Sequence, residues 1–205
     1  MLSKLLAVSL VLASASTCDQ AKFEKPQPDE TKDLLVVPKK LHGEYRSQTD
    51  SSRLYITGKS IIEQTQLADT VHKNELDSAE RVQLKRDTTF REDNVIGDVR
   101  ILGDSISVRF IVLDTLSLSD STIKLRKYKG NYFLSRRSGE SWYVSKIEIH
   151  HGQLTFSSTS SGDIEPLQKI SGTSDSTIVF NPTKKQFRGF LKQGGFRKVE
   201  VYKRQ

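Results

Sequence analysis

The stretch KGNYFLSRRSGESWYVSKIEIHHGQLTFSS, Lys129–Ser158, holds three short runs rich in β-branched and aromatic residues, separated by glycine-bearing breaks. NYFLS (Asn131–Ser135) and SWYVSKIEI (Ser141–Ile149) flank a five-residue loop, RRSGE, that contains Gly139. SWYVSKIEI then meets QLTFSS (Gln153–Ser158) across His151-Gly152. Runs of this length bounded by turn residues read as strands, and two hairpins that share a central strand make an antiparallel meander. TIKLRKYK, Thr122–Lys129, adds a strand in front, with Ile123 and Leu125 on one face and Lys124 and Arg126 on the other.

Working outward, Arg53–Thr57, a Gly58-Lys59 turn and Ser60–Gln66 predict another strand pair. Ser105–Leu113 is the strongest strand signal, because Ile106, Val108, Phe110 and Val112 fall on one face. Asn74–Arg86 spaces Leu76, Ala79 and Val82 as a helix would, or else forms a loop between strands. At the C-terminal end, TIVFNPTKKQFRGFLKQGGF opens with a strand, Thr177–Phe180, followed by Asn181 as a helix cap and Pro182 at the first helical position. Phe187, Phe190 and Leu191 share one face of that helix, Gly194-Gly195 stops it, and Phe196 folds back onto it. A last strand, Arg197–Lys203, follows. The expected fold is α+β and β-rich: an antiparallel meander sheet or partly closed barrel with a C-terminal helix packed on it. Tyr132-Phe133 and Trp142-Tyr143 put aromatics on both faces of one hairpin. One set is then covered by the helix or, if the sheet curls, lines a pocket as in a lipocalin-like carrier of a hydrophobic ligand.

The first residues carry a different signal. Lys4 precedes a nine-position apolar run, Leu5–Ala13, too short to cross a bilayer and of the length used by export signals. The small residues that follow end at Cys18, the single cysteine of the 205-residue chain. Ala13-Ser14-Ala15-Ser16-Thr17-Cys18 resembles a bacterial lipobox, in which a cysteine sulfur receives a diacylglyceryl group before cleavage just ahead of it. It departs from that pattern at Ala15, where leucine is preferred, and at Thr17, where Gly, Ala or Ser is. The same residues also read as an A-x-A site cut after Ala15. Cysteine usage favours lipid attachment at Cys18, because an exported protein seldom keeps a lone exposed thiol. The expected organisation is a signal peptide (1–17), a lipid-anchored flexible tether (18–40) with three prolines and balanced charge, and one globular domain (41–205).

The net charge of +7 is unevenly distributed. Residues 1–120 hold 16 Lys and Arg against 19 Asp and Glu, and residues 121–205 hold 16 against 6. Its densest cluster is Lys184, Lys185, Arg188 and Lys192, which gives an anionic-ligand contact, lipid or polysaccharide, in an exported chain and no call for nucleic acid. Catalytic and metal motifs are not found. His150-His151 would point to opposite faces of a strand, His42 and His72 lack ligand spacing, and the Glu92-Asp93 pair reads as solvated charge. No cofactor is expected. The lipobox-like start, the KGNYFLS…SWYVSKIEI hairpin and the closing FNPTKKQFRGFLKQGGF…VYKR resemble a class of lipoproteins from Bacteroidetes-type bacteria. That resemblance implies export and a β-rich fold, and it carries over no catalytic residue. The functional expectation is a non-catalytic binding or envelope-interaction module, anchored in the bacterial cell envelope at the periplasmic face or cell surface. The alternative is the hydrophobic carrier.

Overall fold

The computed structural model describes residues 20–75, 88–92, 94–174, 176 and 178–205. The signal segment, Cys18, most of the Asn74–Arg86 segment, Asp93 and Thr177 lie outside the described residues. The strands are β1 (Lys22–Phe23), β2 (Gly43–Ser47), β3 (Arg53–Ile56), β4 (Ser60–His72), β5 (Thr88–Glu92), β6 (Val95–Leu102), β7 (Ser105–Ser117), β8 (Ile123–Tyr128), β9 (Asn131–Ser138), β10 (Ser141–His150), β11 (Gln153–Ser158), β12 (Val179–Phe180) and β13 (Lys198–Arg204). The helices are α1 (Ile164–Ser171) and α2 (Lys184–Lys192).

The expected meander is present as β8-β9-β10-β11, each strand antiparallel to the next. Lys129-Gly130 and His151-Gly152 turn with positive φ at both residues, the geometry whose twist suits a two-residue hairpin. The RRSGE loop is shorter than expected, because β9 runs through Arg136 and Arg137 to pair Ser138 with Ser141. Only Gly139 and Glu140 turn, with Gly139 in the left-handed region. Arg136 and Arg137 keep the strand alternation, and their polarity at an exposed strand end disguises it.

Beyond β11 the order departs from sequence. The C-terminal β13 lies between β11 and β2, and the sheet continues β3-β4-β7-β6-β5. A parallel β1–β12 pair sits beside the start of β10, where Phe23 opposes Trp142. The sheet curls without closing into a barrel, since β12, β8 and β5 remain its outer strands.

Strand alternation divides the apolar residues between two faces. The concave interior collects Tyr45, Leu54, Ile61, Leu125, Ile147 and Leu154, drawn from β2, β3, β4, β8, β10 and β11. The convex face of β9-β10 is covered by the helices, with Phe133, Trp142, Phe187, Phe190, Phe196 and Phe23 in one cluster. Phe187 meets Phe133 edge-on at 5.2 Å, and Phe196 returns to within 5.3 Å of Phe190, as the helix-terminating Gly194-Gly195 predicts. The helix covers one set of hairpin aromatics, Phe133 and Trp142, while Tyr132 and Tyr143 face the other side of the sheet. The long ends of β4 and β7 pair with each other, and β7 pairs in turn with β6, as a projecting sheet with its own core of Val95, Val99, Ile106, Val108 and Phe110.

Three local expectations are corrected. The N-cap of α2 is Thr183, not Asn181, and Pro182 precedes the helix. The Thr183 hydroxyl accepts the Gln186 N–H while the Gln186 side chain accepts the Thr183 N–H, a reciprocal box that no Asn181 cap could form. Helix α1 was not foreseen, although Ser160 and Asp163 make a capping box before it and Gly172 ends it in the left-handed region. The largest correction concerns the tether. From Gln20 onward the segment is part of the fold: Ala21, Phe23 and Gln27 are fully buried, and Leu34 N–H and Val37 N–H donate to Leu125 and Gly58 carbonyls. Arg126 of β8 holds the segment down through Asp33 at 2.6 Å and the Pro26 and Pro28 carbonyls. Its polar composition suggests coil, but a few apolar residues and one arginine fix it in place.

Truncating a fully buried aromatic costs about 3–5 kcal/mol, against changes within about 0.5 kcal/mol for exposed positions. Phe23→Ala is therefore expected to lower the unfolding free energy by about 3–5 kcal/mol in urea titration. A change within about 0.5 kcal/mol would mean that the segment does behave as a tether.

Candidate functional site

Alternation places every second residue of the curled strands toward the interior, and the interior is not uniform along its length. At one end the 3-10 turn Lys39–Leu41 inserts Leu41 among the apolar side chains. Toward the other end the same strands carry polar residues, and a cavity of ≈ 390 Å³ opens there. Leu116, Leu134 and Phe156 give it an apolar part, Tyr143, Ser145 and Ser158 a hydroxyl wall, and Gln20 lines it from the N-terminal segment. Its charged residues are Glu63, Asp114, Glu200, Arg136 and Lys198.

The register explains how these groups meet. Glu63 on β4 is opposite Asp114 on β7, Arg136 on β9 is opposite Tyr143, and Lys198 on β13 is opposite Ser158. Arg136 bonds Asp114 at 3.0 Å, an ion pair between β9 and β7, which are not neighbours in the sheet. Lys198 lies 3.7 Å from Glu200. Glu63 receives the Tyr202 hydroxyl at 3.3 Å. Burial pushes the Glu63 carboxyl above the usual carboxylate range, helped by the charges of Glu200, Asp114 and Asp50 and opposed by the Tyr202 hydrogen bond. Burial, then the charges of Glu63 and Glu200, likewise push the Tyr202 phenol up. A lining with five charged side chains suits a polar ligand far better than the hydrophobic one of a lipocalin-like carrier.

The basic cluster lies on the outside. At about 100° per residue, Lys184, Lys185, Arg188 and Lys192 span an arc of about 100° on α2, opposite buried Phe187 and Phe190. Lys185, Arg188 and Lys192 are exposed, and among the described residues no carboxylate pairs with any of the four. Lys184 is less free, since it donates to the Glu30 carbonyl and lies over the Tyr128 ring at 5.7 Å. The histidines are separated: His42 bonds the Val37 carbonyl, His72 the Ser105 hydroxyl, and His151 forms a turn. Among the described residues no group of three or more His, Cys, Asp or Glu is placed to hold a metal ion, and no helix is long and apolar enough to cross a membrane.

The α2 cations are legible in the sequence, whereas the charged lining of the cavity is not. Its carboxylates lie far apart in the chain, and only the strand order β11-β13-β2-β3-β4-β7 gathers them. No family model, curated protein or solved structure matches this chain.

Because its proton is held more tightly in the folded chain, the stability linked to Glu63 is complete below the ordinary carboxylate range and is lost as pH rises through the raised value. Glu63→Gln removes that loss. In thermal melts it should raise Tm near neutral pH by roughly 2–4 °C or less, since solvent screens part of the effect. In acid, where the carboxyl is already protonated, the gain should vanish. A gain of the same size in acid would show that its charge is not the cause.

Proposed function

We propose that this chain is a non-catalytic cell-envelope lipoprotein, anchored by acyl chains on Cys18, whose α2 surface rests on anionic lipid. The observation that carries this reading is the arc of cations on α2, three of them exposed and without carboxylate partners among the described residues, opposite the face that docks the helix. An exposed cation near an anionic leaflet contributes about 1 kcal/mol, so three contribute about 3 kcal/mol. That is marginal alone and effective beside a lipid anchor.

The packing of Gln20 into the body bears on how such an anchor would work. At up to about 3.6 Å per residue, two residues from Cys18 to Gln20 reach about 7 Å. The domain would then be held against the head groups, not at the roughly 25 Å a flexible tether of some 20 residues would allow. Close apposition favours contact by charges, since salt screens those separated by more than about 8 Å at physiological ionic strength.

Reversing Lys185, Arg188 and Lys192 to Glu is expected to weaken partition onto phosphatidylglycerol-containing vesicles by at least about 100-fold at low salt, with no change on phosphatidylcholine alone. Unchanged partition would remove the α2 surface from the proposal, and a loss confined to acidic polysaccharide would transfer its role to that ligand. Separately, mass measurement of the processed protein should find acylated Cys18 at the N-terminus. A peptide starting at Ser16 with a bare thiol would replace the anchored protein with a secreted one.

A further inference from the structure

The interior cavity has no part in the proposal above and stands independently of it. Its charges balance almost completely. Arg136 neutralises Asp114 at 3.0 Å and Lys198 approaches Glu200 at 3.7 Å, so four of the five charged side chains are matched. Glu63 is the fifth. Its one hydrogen-bond partner among the described residues is the neutral Tyr202 hydroxyl at 3.3 Å. Glu63 is half-buried, on a strand whose neighbours supply Asp114 from one side and Leu54 from the other. The cavity thus holds one uncompensated negative charge beside an apolar part formed by Leu116, Leu134 and Phe156.

A ligand entering this space exchanges water for the lining. An anion would face three carboxylates and find both cations already paired, and a neutral molecule would leave Glu63 partly desolvated and unmatched. A protonated amine supplies the missing charge and its hydrogen-bond donors together. The volume of ≈ 390 Å³ is within the roughly 300–1,000 Å³ of small-molecule sites and has room for a compact body beyond the amine. Phe156 and Tyr143 offer ring surfaces to such a body, and Ser145 and Ser158, which bond each other at 3.1 Å, offer hydroxyls.

We infer that the cavity at the open end of the curled sheet binds a small molecule bearing a protonated amine, with the ammonium seated on Glu63. The inference depends neither on an anchor at Cys18 nor on the cations of α2.

Calorimetric titration of the full chain with two amine and neutral pairs tests it: tyramine against 4-ethylphenol, and glucosamine against glucose. At least one amine should bind with one-to-one stoichiometry and at least tenfold more tightly than its neutral counterpart. Glu63→Gln should cost that amine at least tenfold while leaving the circular dichroism spectrum intact. Ser158→Phe, which fills the cavity and leaves the carboxylates alone, should abolish binding and serves as the deciding variant if Glu63→Gln fails to fold. Equal binding of amine and neutral partner, undiminished binding by either folded variant, or failure of both amines to bind at millimolar concentration would each overturn the proposal.

Discussion

The unpaired edge of β8 is the constraint from which much of this architecture follows. A sheet that curls far enough to enclose a core but does not close must cover the seam with something other than a strand ladder. Here the cover is the segment from Asp33 to Leu41, which bonds Leu125 on one side of the seam and Gly58 on the other. Arg126 fastens it, its side chain only 13% exposed and satisfied by Asp33 and the carbonyls of Pro26 and Pro28. A buried guanidinium is tolerable only with its donors matched. The chain from Pro26 to Asp33 therefore gives Arg126 its partners, and Arg126 fixes where the covering segment begins.

Covering the seam this way fills only one end of the interior. Val37 and Leu41 complete the apolar packing near the 3-10 turn, whereas at the far end the ion pair between Arg136 and Asp114 bridges β9 and β7. The cavity lies at this polar end. The insertion of β13 between β11 and β2 has a related effect. It makes the last strand of the chain the link between the β8–β11 meander and the β2–β4 hairpins, and it brings Lys198 and Glu200 to the cavity mouth and Tyr202 to the buried core.

The charge asymmetry of the sequence acquires a spatial meaning. Much of the basic excess of the C-terminal half lies outside, on α2, where burial of Phe187 and Phe190 orients the opposite face to solvent. Carboxylates from distant parts of the chain, Glu63, Asp114 and Glu200, converge around the cavity. A cationic exterior patch and a cavity with one unmatched negative charge would select opposite ligands, so the two surfaces can serve different partners without competing.

The sequence by itself determined the elements whose signals are local. Hairpin turns at Lys129-Gly130 and His151-Gly152, the alternation of Ile106, Val108 and Phe110, and the amphipathic Phe187-Phe190 helix with its Gly194-Gly195 stop all depend on residues within one or two turns of one another. The clustering of the α2 cations was legible for the same reason. Tertiary structure alone decided that residues 20–40 are strap and not tether, that β13 enters the middle of the sheet, and that Glu63, Asp114 and Glu200 share one cavity. Each of these rests on contacts between residues from about twenty to well over a hundred positions apart. Local pattern encodes backbone preference and amphipathic period, but the partner that satisfies a buried arginine or leaves a carboxylate unmatched is fixed only when the sheet curls.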